Sequence, residues 1–295
     1  MAVRPKLLAV PPGDVEPKRP KVLIYGGPGV RKTWISCDFP SPYFIDTEGG
    51  ADLKAYRKKI EAGGGAYMGQ EQGSLDFDTV ISQLQALAQV EHGYRTVIID
   101  SVSKLWNAAL TDEQERLGSK DAFGAYKKAP TRQFMTMVKW LNRLDMTAVL
   151  IAQQKELWGL NDQKQREMIG YTYDCQDKLE YELHLTLRIA RIGDSSYAYV
   201  GKSRLPSFKT GDSFDWTYPN FAERYGRDVI ERTAEPLALA SQEQIDELNS
   251  LLEVVKMPDD WQTKIFKAAG VDDWPEMDGQ KVTACITMLK NRISA

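Results

Sequence analysis

The sequence predicts an α/β protein with a mainly parallel central sheet and a small helical appendage at its C-terminal end. Three observations carry that expectation. From Lys21 to about Arg204, short apolar runs alternate with helix-compatible stretches, the pattern of strands joined by helical crossovers. Several of those runs end in glycine, acid or amide residues, and a parallel sheet gathers its polar chemistry at the carboxyl ends of its strands. After Glu235 the strand-like runs stop and amphipathic helical spacing takes over.

Taken in order, residues 1–20 are Pro-rich and polar and read as an N-terminal arm or linker, with no apolar signal-peptide segment. A core of residues 21–234 follows. Its first strand, Val22–Tyr25, enters the glycine-rich turn Gly26-Gly-Pro-Gly-Val-Arg-Lys-Thr33, and helix-compatible residues Trp34–Cys37 come next. Further strands are predicted at Tyr43–Asp46, Thr96–Asp100, Ala148–Ala152, Leu185–Ala190 and Tyr197–Lys202. Phe77–Val90 has helical periodicity, with Val80, Ile81, Leu84, Leu87 and Ala88 on one face, and Phe134–Leu144 is a second helix. Gly63–Gly65, Gly69 and Gly73 suggest a flexible connection. Lys155–Asp174, long and polar, suggests a mobile loop, and Pro206–Glu235 leads out of the core.

Residues 235–295 read as an acidic helical tail domain. Ser241-Gln-Glu-Gln244 has capping-box spacing, Ile245, Leu248, Leu252 and Val255 continue as a stripe, and Val282–Ile293 forms another helical segment. Trp261, Phe266 and Trp274 either pack a small core there or offer a docking surface to a partner. No internal repeats are present.

Composition narrows the function classes. The 295 residues are 42% hydrophobic, enough for a real core. No apolar run approaches the roughly 20 residues of a membrane span, so no membrane partner is expected. Cys37, Cys175 and Cys285 lie far apart without metal-ligand spacing, which suits a reduced cytoplasm. With only His92 and His184, a zinc site or a histidine-based triad has almost no material. The net charge of −3 is uneven: the tail holds 11 acidic and 6 basic residues, a balance of −5, so the rest carries +2. Nucleic-acid contacts are therefore expected from local basic loops in the core.

The glycine-rich turn has the context of a phosphate-binding P-loop. In that reading Gly26, Gly27, Pro28, Gly29, Val30, Arg31, Lys32, Thr33 and Trp34 bind ATP. Backbone N–H groups wrap the phosphates, Lys32 reaches the β and γ phosphates, and the Thr33 hydroxyl holds Mg²⁺. A plain glycine turn after a strand is the bland alternative, against which the Lys-Thr pair and the preceding strand argue. The usual pattern G-x-x-x-x-G-K-[ST] is broken at one position, where Arg31 replaces glycine. Arg31 either points outward, brings an extra cation to the phosphates, or obstructs the loop.

Asp46, Glu48 and Asp100 end strands that would flank this loop. Asp100 has the form of a metal-holding acid, although a lone strand-terminal Asp-Ser also serves as a helix cap or turn. Glu48 is the candidate to orient an attacking water. Gln153 or Gln154 places an amide near the γ-phosphate, unless both lie in a surface turn. Lys202 and Arg204 are either a solvated pair or a cationic finger for a neighbouring subunit's nucleotide.

The order P-loop, Phe44-Ile-Asp-Thr-Glu48, Val97-Ile-Ile-Asp-Ser101, strand-Gln and Lys202-x-Arg204 resembles the RecA-like recombinase core over roughly residues 20 to 210. It looks most like the short phage ATPases of AAA type, with a RecA-like P-loop core, that work in single-strand annealing recombination. The resemblance implies Glu48 as catalytic base, Asp100 as metal acid, Gln153 or Gln154 as sensor amide, and Lys202 and Arg204 as cations acting across a subunit interface. It implies a DNA-dependent ATPase, oligomeric as a ring or filament, in the cytoplasm of a phage-infected bacterium. Two segments then fall where that family lines its single-strand channel. One contains Lys120, Phe123, Tyr126, Lys127, Lys128 and Arg132; the other contains Lys155, Trp158, Lys164, Gln165 and Arg166. Cations interleaved with aromatics suit backbone neutralisation and base stacking, the alternative being that both are merely solvated surface loops. If its aromatics do not simply pack a core of their own, the acidic tail would recruit a single-strand-binding or replication protein or compete electrostatically with DNA for the basic loops. The open alternatives are a non-hydrolysing ATP switch and an ATPase loader of a replisome protein.

Overall fold

The apolar runs of the core become strands of one sheet. The computed structural model describes residue 13 and residues 17–120, 123–161 and 163–293, so most of the expected N-terminal arm lies outside the described residues. The strands are β1 (Lys21–Gly26), β2 (Pro42–Asp46), β3 (Ala66–Met68), β4 (Thr96–Asp100), β5 (Thr147–Leu160), β6 (Arg166–Tyr173), β7 (Leu185–Ile192), β8 (Ser195–Ser203) and β9 (Ser213–Asp215). The helices of the core are α1 (Lys32–Ser36), α2 (Lys54–Ala62), α3 (Phe77–Gln89), α4 (Val102–Leu117), α5 (Lys128–Arg143), α6 (Leu179–Glu182), α7 (Tyr218–Tyr225) and α8 (Arg227–Glu231). The tail adds α9 (Gln242–Val254), α10 (Trp261–Ala269) and α11 (Gly279–Ile293). No described helix is long and apolar enough to cross a membrane.

The strand order is β3-β2-β4-β5-β1-β7-β8-β9, with β6 paired to the end of β5. The strands from β3 to β7 are parallel, and β8 and β9 turn back antiparallel. The fold class is thus the expected one, α/β with a mainly parallel sheet around a P-loop and a helical C-terminal region. β1 and β4 are paired on both sides and buried at every position. Such strands have no polar face, which is why they read as unbroken apolar runs. Their carboxyl ends, Gly26 and Asp100, fall at the same edge of the sheet.

Contacts divide the chain into two compact units. The first comprises the chain up to Gly69, Tyr94–Lys104 and Met146–Arg232; the second comprises Gln70–Gly93, Leu105–Asp145 and the chain from Thr233 onward. The first unit holds the sheet. On one sheet face Val22, Ile24, Ile98, Val149, Ile151, Leu185, Leu187 and Ile189 bury against Ile35, Phe39, Phe208, Trp216 and Phe221. In the second unit α3 packs on α5, with the Phe134 ring 5.9 Å from Phe77 and 5.6 Å from Trp106.

Three segments depart from the sequence reading. The glycine-rich connection at 63–73 contains β3, an edge strand paired in parallel with β2. Lys155–Asp174 is a β-hairpin rather than a mobile loop, made by an extension of β5 and by β6, with a bulge at Leu157/Trp158. Its turn closes on the Asn161 side chain, which accepts from the backbone N–H of Gln163 (3.0 Å) and Gln165 (2.9 Å). Leu157, Trp158, Ile169 and Tyr171 supply the branched and aromatic residues that suit a pleated ribbon. Of Pro206–Glu235, the stretch from Pro206 to Arg232 folds back into the first unit instead of leaving it, and only from Thr233 does the chain pass to the second. Phe208, Phe214, Trp216, Phe221 and Ile230 are buried there, and the aromatic rings touch one another. The buried Arg19 guanidinium fastens this segment, donating to Ile230 O (2.7 Å) and Arg232 O (2.6 Å).

The first tail helix starts where the sequence indicates, whereas α11 begins three residues ahead of the expected Val282 and α10 was not expected. Both halves of the Ser241/Gln244 capping box are formed, and Ile245 and Leu248 are buried. Trp274 packs between Trp261 and Phe266 in an apolar cluster with Leu248, Met277, Val282 and Leu289. Within the same unit, Lys139 of α5 donates to Asp272 (3.0 Å) and Glu276 (2.8 Å), and Arg143 donates to the Glu276 carbonyl (2.6 Å).

Candidate nucleotide site

The loop between β1 and α1 is shaped by its backbone. A Cβ at Gly26 would lie 2.3 Å from the Ile189 carbonyl oxygen, so only glycine fits there. Arg31 stands in the left-handed region (φ 67°, ψ 25°), at the position where the motif normally has glycine. Its guanidinium turns away and donates to the Asp194 carbonyl in the β7–β8 turn at 2.8 Å. Of the three options for this residue, the outward one is observed. Helix α1 starts at Lys32, two residues earlier than expected, and its first residues complete the loop.

Lys32 Nζ is held by the carbonyls of Gly26 (2.8 Å) and Gly27 (2.9 Å). Burial pulls its ammonium below the usual lysine range, a shift that the carboxylates of Asp100 and Glu48 partly oppose. The Thr33 hydroxyl donates to Asp100 Oδ2 at 2.6 Å. Burial pushes Asp100 up to about 7, against the Thr33 hydrogen bond and with help from the charges of Glu48 and Asp46. Among the described residues no three or more His, Cys, Asp or Glu side chains form a metal cage. A hydroxyl and one carboxylate beside a lysine suit Mg²⁺, which keeps water and takes ligands from a substrate's phosphates. The residues present fit Mg-ATP.

Glu48 is held by position. Its Oε1 accepts from Ser101 Oγ and from Gln153 Nε2, the latter at 2.7 Å. Ser101 Oγ also accepts from the Lys104 N–H (3.2 Å). Thr47 ties the two strand ends together: its N–H donates to Asp100 O (2.7 Å), and its hydroxyl bonds both Ser101 N (2.8 Å) and Ser101 O (2.9 Å). The Asp100–Ser101 peptide is cis. Gln153 is anchored in turn, its N–H donating to Ser103 Oγ at 2.8 Å. Gln154, on the opposite face of the strand, pairs with Tyr173 and does not reach Glu48.

Residues 18–215, more than half of the chain, match the family model described as an AAA domain. The chain belongs to the AAA-domain family. This AAA domain has the fold class of AAA-type P-loop ATPases. Among solved structures it is similar to the RadB recombinase, with 16% identity, TM-score 0.44, and coverage of 74% of this chain and 90% of that one. It is also similar to a prototypical ATPase from the type III secretion system of pathogenic bacteria, with 13% identity, TM-score 0.37, and coverage of 92% and 74%. A third likeness is to EscN of enteropathogenic E. coli, solved in complex with its stalk EscO, with 12% identity, TM-score 0.36, and coverage of 92% and 66%. No curated protein sequence matches the chain.

The remaining sequence-predicted residues of this AAA domain sit elsewhere. Asp46 is fully buried and works on the turn after β2. Its two oxygens accept from the N–H groups of Glu48, Gly49, Gly50 and Ala51 and from the Tyr67 hydroxyl. Trp34 leans on α2, its ring 5.1 Å from Tyr56, with the Lys59 ammonium 4.1 Å from its centroid. Lys202 and Arg204 lie at the opposite end of the sheet from the P-loop, because β8 runs antiparallel and Lys202 faces Thr186 near the start of β7. Both bind carbonyls of their own chain. Lys202 donates to Glu180 O (2.6 Å) and Leu183 O (2.5 Å), and Arg204 donates to Tyr181 O.

Of the candidate DNA contacts, those in the second unit lie between α4 and the first turns of α5. Lys120, Phe123, Lys127, Lys128 and Arg132 are exposed, and the Lys127 ammonium stands 5.7 Å from the Tyr126 ring. Those in the first unit lie on the β5–β6 hairpin. Lys164 and Arg166 are exposed, and the Arg166 guanidinium sits 5.1 Å over Trp158. Lys155 pairs with Asp174 (3.5 Å) and Asp177 (4.0 Å). Ser101, Ser103 and Thr47 are site residues that the sequence reading missed. Their only signal was adjacency to Asp100 and Glu48.

Proposed function

We propose that this protein binds Mg-ATP at Gly26–Thr33, hydrolyses it, and assembles on single-stranded DNA to promote annealing or pairing. One observation carries the reading. The Thr33–Asp100 contact sits beside a glutamate whose carboxylate is aimed by two donors, Ser101 and Gln153. Lys32 neutralises the β and γ phosphates once it leaves the carbonyls of Gly26 and Gly27. Thr33 and Asp100 would hold Mg²⁺, which would supply charge neutralisation at the phosphates. Glu48 accepts the proton of the water that attacks the γ-phosphorus, while the bond from that phosphorus to the β,γ-bridging oxygen breaks and ADP leaves. Gln153, bonded to Glu48, senses whether that phosphate is present. The outward Arg31 leaves the loop clear, which favours turnover over a non-hydrolysing switch.

The DNA part of the reading rests on exposed aromatics and cations on the hairpin and before α5, where stacking and phosphate contacts are available. Lys202 and Arg204 stand too far from their own P-loop to serve it. Any role of theirs at a nucleotide belongs to a neighbouring copy and requires release from the α6 carbonyls. The test is steady-state ATP hydrolysis with and without single-stranded DNA, with Lys32→Ala as the blank. DNA stimulation that falls in Trp158→Ala is the expected result. Turnover indifferent to DNA supports a loader instead, and tight ATP binding without turnover supports a switch.

A further inference from the structure

The Gly26–Thr33 loop meets the β7–β8 hairpin at three places. Gly26 presses against the Ile189 carbonyl, the Val30 carbonyl accepts from Ser196 Oγ at 3.1 Å, and Arg31 Nη1 donates to the Asp194 carbonyl at 2.8 Å. The turn that receives Arg31 is itself braced. Arg191 donates to the Gly193 carbonyl (2.9 Å) and to the Asp194 carboxylate (3.1 Å). Arg31 therefore grips a turn whose other side is already held. Its backbone is left-handed, a conformation glycine enters freely and any other residue enters at a cost. A residue that bears this cost while its side chain bridges to a braced turn is acting through that side chain.

We propose that Arg31 is a positioning residue. It ties the P-loop to the β7–β8 turn and holds it in its phosphate-ready shape, doing by a tether what the usual glycine does by backbone freedom. The inference rests on the nucleotide-binding reading above. A loop already ordered before the ligand arrives loses less freedom on binding, so the tether acts on affinity and not on the chemical step. Arg31 does not touch the phosphates in this arrangement. Its guanidinium is committed to Asp194, at the exposed rim.

The experiment compares the full-length protein with Arg31→Ala, Arg31→Lys and Arg31→Gly. It measures ADP affinity by titration calorimetry and KM and kcat for ATP. Arg31→Ala keeps a side chain in the left-handed position and removes only the tether. ADP Kd and ATP KM should both rise, about three- to tenfold, with kcat unchanged. Arg31→Lys, which can still donate to a carbonyl, should recover much of the loss. Arg31→Gly should recover part of it through backbone freedom. Unchanged affinity in Arg31→Ala overturns the proposal, and so does tighter binding, which would mark Arg31 as an obstruction. A loss confined to ATP and erased by salt also overturns it, because that would make Arg31 a phosphate-contacting cation. Thermal melts check folding of each variant. Failure of the underlying reading is separate and visible: the unaltered protein would bind no nucleotide, or Lys32→Ala would bind it equally well.

Discussion

Glu48 takes two hydrogen bonds on a single oxygen, so, with Glu48 as the proposed base, removing the donors one at a time measures how much of that role is position. Gln153→Ala deletes the 2.7 Å bond from Nε2. A hydrogen bond to a charged group is worth about 1.5–3 kcal/mol, but Glu48 and Gln153 are both exposed and water replaces part of it. A loss of about 1 kcal/mol, roughly fivefold in kcat, is expected. Ser101 is buried, and its hydroxyl also accepts from the Lys104 N–H, so Ser101→Ala strips two partners. There the expected loss is about 2 kcal/mol, roughly thirtyfold in kcat. The two donors share one acceptor, so the double variant should fall short of the product of the single effects. Steady-state turnover at saturating ATP, with KM determined in parallel and Glu48→Gln as the floor, separates positioning from binding. Single variants within twofold of the unaltered protein, alongside an inactive Glu48→Gln, would refute the reasoning. So would losses that appear in KM alone.

Three further outcomes concern stability. Arg19→Ala removes a buried cation and leaves the Ile230 and Arg232 carbonyls short of a donor, at a cost of about 3 kcal/mol; a melt should show Tm lower by roughly 6–12 °C. His184 is held down to about 4, first by burial and then by Lys21, Arg204, Lys18 and Lys202, and its Nδ1 accepts from the Lys21 N–H at 3.3 Å. Between that value and about 6.5 the unfolded state binds more protons, so this contribution is complete above pH 6.5 and is lost as pH falls toward 4. Because the ring is only half-buried, about 1 kcal/mol is expected, read as the difference between the urea-unfolding curves of the unaltered protein and His184→Gln across that window. The difference is needed because Asp100, raised to about 7, changes stability in the opposite sense as pH rises. Glu276→Ala leaves Lys139 with Asp272 alone and removes the acceptor of the Asp272 N–H, for about 2 kcal/mol; hydrogen exchange should quicken in α10 and α11.

The nucleotide end of this protein was legible because central parallel strands are apolar throughout and stop at polar residues. Val22–Tyr25 and Thr96–Asp100 needed no more than that. The β5–β6 hairpin was obscured by Gly159, Gly170 and its charges, which read as loop although Leu157, Trp158, Ile169 and Tyr171 stand between them. The stretch after Pro206 was misread for a different reason. Its strand has three residues and its helices eight and five, too short for any periodicity, while the density of aromatics was the usable signal. The place of Lys202 and Arg204 depends on β8 running antiparallel, which is topology and not local pattern. Arg31 was legible only as a departure from the motif; its left-handed backbone and outward guanidinium depend on the β7–β8 turn, which no local pattern reveals.

What joins the ATP reading to the DNA reading is a single strand. β5 runs unbroken from Thr147, buried among its parallel neighbours, through Gln153 to Leu160 on the hairpin. Gln153 is tied twice at the P-loop edge of the sheet, by its backbone to Ser103 and by its side chain to Glu48. Any movement of Glu48 toward a γ-phosphate must therefore break the Gln153 bond or carry Gln153 along. Trp158 lies five residues further, about 16 Å of extended chain, with its ring under Arg166. The bulge at Leu157/Trp158 is the one irregularity between them and the natural place for the ribbon to bend. Coupling between nucleotide and hairpin thus needs no relay through side-chain packing. It needs only that one covalent strand be held at the phosphate end and left exposed at the other.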